Sequence, residues 1–263
     1  MSGLHPSVDE LVTALDNPRS AESDICVRLC RLVDVAGPFV LNTQRLLATA
    51  AGAGRYSACR TCLELGAAVT GNLTAPLGHS PLQIACWKEA ADCVRLLLEW
   101  GATANCVDED GRTPLHIASL RGSVECMGAL LAAGGEIDKE DISGESPLYV
   151  ACQNGHADCV QFLLERGADK EKQARNGWAA LHAACFHGDA DCVRILLEHG
   201  ADTEKRPSNG WMPLHIASSF GTEDCVRLLL EHGAETNSRN VEGQTPLDVA
   251  RERDNLECAR LLL

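Results

Sequence analysis

The segment Thr113-Pro114-Leu115-His116-Ile117-Ala118-Ser119 is the part of this sequence to which the rest of the chain keeps returning. Its leucine recurs every 33 residues, at Leu82, Leu115, Leu148, Leu181, Leu214 and Leu247. An alanine follows each leucine after three residues, and a cysteine follows after eleven, at Cys93, Cys126, Cys159, Cys192, Cys225 and Cys258. A gap-free period over six copies predicts a stacked array in which each copy contacts only its neighbours.

These residues resemble the ankyrin repeat. The tetrapeptide Thr-Pro-Leu-His is intact at 113–116, and variants of it stand at 146–149, 212–215 and 245–248. The second half of each unit reads like the run Asp-Cys-Val-Arg-Leu-Leu-Leu-Glu-His-Gly-Ala at 224–234. The resemblance implies an all-α solenoid of stacked helix-turn-helix ankyrin repeats with β-hairpin-like fingers between them.

The resemblance divides the chain into three parts. Residues 75–263 are expected to hold six ankyrin repeats, and the last is incomplete because the sequence stops within its second helix. Residues 41–74 are interpreted as a degenerate ankyrin repeat, since Leu47 and Ala50 have the same spacing as the motif leucine and alanine. Residues 1–40 are interpreted as an N-terminal helical cap made from another degenerate repeat, because terminal repeats are atypical.

Each regular unit repeats the same start and stop signals. Ser or Thr before Pro is expected to cap the first helix, with Pro in its first turn. Glycines such as Gly122 and Gly134 are expected to end the first and second helices. Glu89 occupies the turn-glycine position of the first regular unit, so we expect a bend there. Pairs such as Asp92 and Arg95 indicate a solvated face of the second helices.

Composition limits the possible partners. The formal net charge of −14 argues against DNA, RNA or an anionic membrane, because those surfaces require clustered Lys and Arg. No window approaches the roughly 20 apolar residues of a membrane span, and the N-terminus lacks the pattern of a secretory signal. We therefore expect a monomeric protein of the cytoplasm or nucleus, where its fourteen cysteines stay reduced.

The cysteines are interpreted as small buried side chains. Cysteines in register lie on successive helices, which pack roughly 8–10 Å apart. A zinc site needs four converging ligands, and a disulfide needs Cα atoms within roughly 7 Å of each other. Cys59 and Cys62 lie on a predicted helix without a second pair and are interpreted in the same way. Cys106, in a finger, is the cysteine that we expect to be exposed and reactive.

The sequence gives no support to catalysis. His116, His182 and His215 recur with the motif, and the resemblance implies that each makes a structural hydrogen bond near the helix start. No Gly-x-Ser-x-Gly, His-Glu-x-x-His, phosphate-binding loop or dinucleotide fingerprint occurs. We therefore expect no enzymatic activity, no cofactor and no metal site.

A partner protein is expected to bind at positions that the repeat does not dictate. In ankyrin arrays, partners usually bind the concave face, which the finger tips and first helices form. The candidate partner-binding residues at these positions are Trp87, Arg112, Leu120, Arg121, Trp178, Phe186, His187, Trp211 and Phe220. Trp178 and Trp211 stand one period apart, so we expect them to lie side by side, with Phe186 and Phe220 behind them.

The function implied by the resemblance is that of a non-enzymatic scaffold or adaptor that binds a partner protein on this face. One alternative is the substrate-recognition subunit of a ubiquitin ligase. Another is the interaction domain of a larger enzyme or channel that continues past the C-terminus. The third is a structural spacer, which would bind no partner at the aromatic positions.

Overall fold

A computed structural model describes residues 8–17, 20–36, 43–70 and 79–263 of the chain. The chain forms two compact units, Met1–Glu136 and Ile137–Leu263. The helices described in the first unit are α1 (Val8–Asp16), α2 (Glu22–Ala36), α3 (Thr43–Gly52), α4 (Tyr56–Glu64), α5 (Pro81–Trp87), α6 (Ala91–Glu99), α7 (Pro114–Arg121) and α8 (Val124–Ala132). Those of the second unit are α9 (Pro147–Gln153), α10 (Ala157–Glu165), α11 (Ala180–His187), α12 (Ala190–Glu198), α13 (Pro213–Phe220), α14 (Glu223–Glu231), α15 (Pro246–Glu252) and α16 (Leu256–Leu261).

The helices stack in two rows within each unit. In the first unit, α1, α3, α5 and α7 contact one another in order, and α2, α4, α6 and α8 form the second row. In the second unit, the odd-numbered helices α9 to α15 and the even-numbered helices α10 to α16 are arranged in the same way. This stacking confirms the all-α solenoid class. Residues 1–40 and 41–74 each contain two of the described helices, but the part boundaries near residues 40 and 75 lie outside the described residues. The division into a cap, a degenerate repeat and six repeats stays a prediction.

The repeating side chains fill the interior between the rows. The motif leucine is buried in the first five regular units, whereas Leu247 in the sixth is only half-buried. All six cysteines in register are buried, as are the alanines that follow the leucines. Burial of this small apolar set stabilises each repeat against the next, at roughly 25 cal/mol for each Å² of apolar surface removed from water.

The expected helix caps are present where a hydroxyl is available. Ser80 Oγ accepts a hydrogen bond from the backbone N–H of Gln83 at 3.2 Å, and Thr245 Oγ1 accepts one from Asp248 at 3.2 Å. The caps satisfy backbone donors that have no partner within the helix. The first helices of the repeats that carry Trp178 and Trp211 begin instead after Ala179 and Met212, neither of which has a capping side chain.

The turn at Glu89 corrects one expectation. Glu89 adopts the left-handed conformation with φ of 58°, close to that of Gly122 at 78°. Asp254, at the same position of the last repeat, has φ of 57°. The turn is therefore made without glycine, and α5 is as long as α9, whose turn contains Gly155. The predicted bend is wrong, because the residue accepts an unfavourable backbone conformation instead.

The fingers are closed turns. Asp108 N–H donates to the carbonyl of Arg112 at 3.2 Å, and Ala174 N–H donates to the carbonyl of Trp178 at 2.9 Å. Over the described residues these turns contain no β-strand, so the hairpin-like fingers are reduced to turns closed by one or two backbone hydrogen bonds. None of the helices in the described ranges has the length and apolar character required to cross a membrane.

Candidate interaction surfaces

Five of the predicted partner-binding residues lie in the second unit. Four of them we term the aromatic strip: Trp178, Phe186, Trp211 and Phe220. The ring centroids of Trp178 and Phe186 are 5.4 Å apart, with an interplanar angle of 57°. Phe186 and Phe220 meet edge to face at 4.5 Å and 62°. Trp211 lies against His215 at 6.3 Å. The ring contact between the two neighbouring repeats is therefore made by the phenylalanines that were expected behind the indoles.

Asparagine-glycine turns position the two tryptophans. Asn176 Oδ1 accepts a hydrogen bond from the backbone N–H of Trp178 at 2.9 Å, and Asn209 Oδ1 accepts one from Trp211 at 3.1 Å. Asn favours such turns because its side chain hydrogen-bonds to the backbone two residues later. Both tryptophans are half-buried, so each contributes to packing of its finger as well as to the surface.

The two phenylalanines stand at the ends of first helices. Phe220 is the last residue of α13, and Phe186 is the penultimate residue of α11. The left-handed glycines that follow lie close to the next repeat, since a Cβ on Gly188 would be 2.6 Å from Thr222 Cγ2. Phe186 remains 38% exposed and Phe220 52% exposed. Both rings therefore offer apolar surface to a partner from a fixed backbone.

His182 has the structural role that the resemblance implies, whereas His215 is held only through Nε2, 3.1 Å from the Gln244 carbonyl oxygen, and its buried Nδ1 has no hydrogen-bond partner. His182 Nδ1 accepts a hydrogen bond from the backbone N–H of Ala179 at 3.2 Å, and its Nε2 lies 3.1 Å from the carbonyl oxygen of Lys205. Burial lowers the pKa of His182 to about 4 because a charged imidazole loses its hydration there. Burial also lowers the pKa of His215. Neutral imidazoles thus support the indoles, and the Trp178 ring stacks on His182 at 6.1 Å.

His187 is the polar member of the predicted set in this unit. Its ring meets Phe186 edge-on, with centroids 5.0 Å apart, and it is exposed at the end of α11. An exposed imidazole beside an aromatic ring can donate or accept a hydrogen bond at the edge of an apolar contact. His187 therefore adds polar recognition next to the aromatic strip.

The other four predicted residues, Trp87, Arg112, Leu120 and Arg121, lie together in the first unit. The Arg121 guanidinium carbon is 5.5 Å from the centroid of the Trp87 ring, within the range of a cation–π interaction. Trp87 is 41% exposed. Trp87, Leu120 and Arg112 line one cavity of about 260 Å³. The set predicted from the sequence is thus divided into a group on each unit.

Charged side chains complete the first-unit group. Arg121 Nη2 is 3.0 Å from Glu89 Oε1, and Arg112 Nη1 is 3.3 Å from Asp110 Oδ2. His79 and the buried Asp108 line the same cavity, with His79 Nδ1 3.6 Å from Asp108 Oδ2. Glu89 was not among the residues predicted from the sequence to lie at this surface. The feature that could have identified it is its spacing of 32 residues from Arg121, which is close to one repeat period.

Two cysteine findings refine the sequence analysis. Cys106 is half-buried, its sulfur lies 3.3 Å from Ser80 Oγ, and burial raises the pKa of its thiol. The expectation that Cys106 is exposed is therefore wrong, and the raised pKa lowers the fraction of the reactive thiolate. Cys59 Sγ lies 3.8 Å from Cys93 Sγ. Cys59 stands one residue out of register with the repeat, so thiols of adjacent helices meet there.

Potential metal ligands are not clustered in the described part of the chain. No group of three or more His, Cys, Asp or Glu side chains is arranged there to hold a metal ion.

Three of the expected carboxylate–arginine pairs form on exposed second helices, including Asp92 with Arg95 at 2.6 Å and Asp191 with Arg194 at 2.6 Å. Such exposed pairs contribute little to stability, because water screens the two charges.

Comparisons with known proteins agree with this architecture. A family model described as ankyrin repeats (3 copies) matches residues 47–141, 101–174, 130–207, 167–240 and 203–263. The chain is similar to the crystal structure of the human ASB11 ankyrin repeat domain, with 33% identity and a TM-score of 0.75. That match covers 82% of this chain and 96% of the other.

A second solved structure is similar over the same share of this chain. The ankyrin repeat domain of Bcl-3, described as a unique member of the IkappaB protein family, is 30% identical with a TM-score of 0.71. The match covers 82% of this chain and 97% of that domain. A comparison with curated proteins found no significant match. The repeat register, the two rows of helices and these matches together show that the chain belongs to the ankyrin-repeat family.

Proposed function

We propose that this chain is a non-enzymatic interaction module, a scaffold or adaptor that binds a partner protein through the aromatic strip. The observation that carries the proposal is the edge-to-face pair Phe186 and Phe220, whose rings touch at 4.5 Å while 38% and 52% of their surfaces remain exposed. Exposed aromatic side chains that lie together are typical of the residues that dominate protein interfaces.

The fixed geometry of the strip supports this function. Asn176 and Asn209 hold the backbone of the two tryptophans, and Gly188 and Gly221 end the helices that carry the phenylalanines. A partner therefore meets rings whose positions are set before binding. Binding to preordered side chains loses less conformational entropy, which leaves more of the contact energy as affinity.

The first-unit group supports a second contact surface for a partner. Arg121 is held over Trp87 and paired with Glu89, and Leu120 adds apolar surface beside them. Arg and Trp are the residue types most enriched among side chains that contribute strongly to binding. We expect this group to bind in the same manner as the aromatic strip.

The alternatives differ in what the same surface would do. A ubiquitin-ligase subunit or the interaction domain of a larger enzyme or channel would also bind a protein at the aromatic strip. A spacer would bind none there. The expected monomeric state and the cytoplasmic or nuclear location stay predictions.

The test is affinity capture from a cell lysate followed by mass spectrometry. Wild type is compared with Trp178→Ala/Trp211→Ala and Phe186→Ala/Phe220→Ala, after far-ultraviolet circular dichroism has shown that each variant keeps its helices. Trp100→Ala is the matched control, since Trp100 is 44% exposed outside both groups. Proteins captured by wild type and the control but lost by the folded strip variants support the proposal. Equal recovery by all variants overturns it.

A further inference from the structure

We infer that the partner segment bound by the aromatic strip is a peptide in which acidic residues flank an apolar anchor. This inference rests on the proposed function and specifies the chemistry of the partner. The observation behind it is that the two fingers bearing Trp178 and Trp211 also carry the exposed residues Arg175 and Arg206. Each arginine stands within five residues of its tryptophan in the same finger, with Arg175 in the turn and Arg206 just before the turn that begins at Pro207.

Neither guanidinium is used in an ion pair among the described residues. Arg206 donates Nη1 to the carbonyl of Arg239 at 3.5 Å and directs Nη2 to the Met212 sulfur at 3.8 Å. Lysines at the bases of the same fingers do form ion pairs, with Lys172 Nζ 2.9 Å from Glu140 and Lys205 Nζ 3.6 Å from Glu171. Lys172 and Lys205 are therefore neutralised within the fold, whereas Arg175 and Arg206 keep their charge for an external anion.

The backbones beneath these arginines are fixed by contacts between fingers. Arg175 N–H donates to the carbonyl of Ser143 at 2.9 Å, and a Cβ on Gly144 would be 3.2 Å from the Arg175 side chain. A Cβ on Gly177 would likewise be 3.0 Å from Pro207, which adjoins Arg206. Closely packed fingers hold the bases of both side chains in place. The positive charges of Arg175 and Arg206 are therefore attached to backbone whose position is fixed by the packing of the fingers.

The two fingers are less acidic than the chain as a whole, since residues 169–178 carry three basic and two acidic side chains and residues 202–211 carry two of each. The chain as a whole has a formal net charge of −14, and the finger at 108–112 carries Asp108, Glu109 and Asp110. Electrostatic complementarity favours partners of opposite charge and suppresses wrong ones. A peptide carrying carboxylates is accordingly attracted to the finger tips of Trp178 and Trp211 and repelled by the acidic finger.

The chemistry of arginine selects the carboxylate. A guanidinium presents paired N–H donors that match the two oxygens of a carboxylate. Neighbouring repeats lie roughly 10 Å apart, which corresponds to about three residues of an extended segment at roughly 3.3 Å each. Two Asp or Glu side chains at that spacing can pair with Arg175 and Arg206 while an apolar side chain between them contacts Phe186 and Phe220.

A single-stranded nucleic acid is the competing ligand for arginine beside tryptophan, and the ring geometry disfavours it. Bases stack on open aromatic faces, but Trp178 is stacked on His182 with an interplanar angle of 22° and tilted against Phe186. Phe186 and Phe220 meet edge to face. The strip therefore offers ring edges and partial faces that suit an aliphatic or aromatic side chain better than a stacked base.

The test is selection of a random 16-residue phage-displayed peptide library on the wild-type chain, with counter-selection on the folded Phe186→Ala/Phe220→Ala variant. Selected peptides are synthesised with a fluorescent label, and their dissociation constants are measured by fluorescence anisotropy. We expect two or more Asp or Glu residues around a Trp, Phe or Leu. Binding should weaken at least tenfold for Arg175→Glu/Arg206→Glu, and Arg227→Glu, an exposed position on α14, is the matched control.

The outcomes separate this inference from the proposed function. Peptides that depend on the phenylalanines but are neutral or basic overturn the inference and leave the proposed function intact. Failure to select any phenylalanine-dependent peptide counts against both. Replacing the selected carboxylates with Lys should restore binding to Arg175→Glu/Arg206→Glu, and equal affinity of that peptide for wild type overturns the inference. Competition by a 20-nucleotide polyuridine RNA at a similar concentration also overturns it.

Discussion

The ring of Phe186 lies edge-on to the ring of Phe220, with centroids 4.5 Å apart, although the two residues belong to different repeats. Phe186 also contacts Trp178 and His187. One side chain thus joins an indole, an imidazole and the next repeat into a single surface. The consequence is that the surface of one repeat depends on the side chain that its neighbour contributes.

The first prediction concerns the coupling of the two phenylalanines. We expect Phe220→Ala to lower the free energy of unfolding by less than about 1 kcal/mol, because half of that ring is already in water, and Phe186→Ala to cost about 1–2 kcal/mol. In a double-mutant cycle the two should couple by about 0.5–1.5 kcal/mol. Urea unfolding followed by circular dichroism measures all four values, and strict additivity would contradict the contact.

The second prediction follows from the neutral histidine at the start of α11. The pKa of His182 is about 4 in the folded chain and about 6.5 in an unfolded one. As the pH falls below 6.5, His182 takes up a proton in the unfolded state, whereas in the folded state it does so only near pH 4. Folding stability should therefore fall by about 3 kcal/mol over that window, and this loss should be absent at higher pH.

The chain itself offers the control for this pH effect. Gln83 stands where His182 does in its repeat, accepts from the Ser80 N–H at 2.8 Å and donates to the Arg112 carbonyl at 2.9 Å. His182→Gln should keep these hydrogen bonds without titrating. The measurement is the free energy of unfolding from pH 7.5 to 4 for both proteins. Identical pH dependence would show that His182 takes up its proton at the same pH in the folded and unfolded states.

The third prediction tests the strained turn of the last repeat. Asp254 has φ of 57° without being glycine, so we expect Asp254→Gly to raise the free energy of unfolding by about 0.5–1 kcal/mol. Gly200→Ala should act in the opposite direction by a similar amount, because φ is +74° there and a Cβ would meet no atom within 4 Å. Thermal or urea unfolding measures both. Destabilisation by Asp254→Gly would show that contacts of the Asp254 side chain stabilise the fold by more than its left-handed backbone conformation destabilises it.

The fourth prediction concerns thiol reactivity. Cys30 is exposed, and Cys106 is half-buried with a pKa raised by burial. We expect a maleimide reagent at neutral pH to modify Cys30 well before Cys106, because modification requires an accessible thiolate. Peptide mass spectrometry after timed labelling measures the order. Faster labelling of Cys106 than of Cys30 would restore the interpretation made from sequence.

Much of the fold could be predicted because the repeat is periodic. The spacing of Leu115 and its counterparts predicted the helix pairs, and Gly122 and its counterparts predicted the left-handed turns. The period could not predict how Glu89 behaves, because a side chain in that conformation costs free energy that only the surrounding fold can supply. Cys59 escaped prediction for a related reason, since it stands outside the register and its contact with Cys93 depends on helix packing.

The candidate surface was predicted in composition but not in arrangement. The positions that the repeat does not dictate identified Phe186 and Phe220, and the period alone placed these two residues on adjacent repeats. The stacking of Arg121 on Trp87 depends on side-chain rotamers that the sequence does not specify. Arg175 and Arg206 were missed because they differ in their offset from the finger glycine, so no periodic signal connects them.

The most direct test of the central claim is the affinity of a captured partner for three proteins: wild type, Phe220→Ala and Trp100→Ala. Isothermal titration calorimetry at fixed salt gives the dissociation constants. We predict that Phe220→Ala loses about 2 kcal/mol of binding free energy, roughly 30-fold in affinity, while Trp100→Ala binds like wild type. Equal affinity of Phe220→Ala and wild type, or a loss confined to Trp100→Ala, would contradict the assignment of partner binding to the aromatic strip.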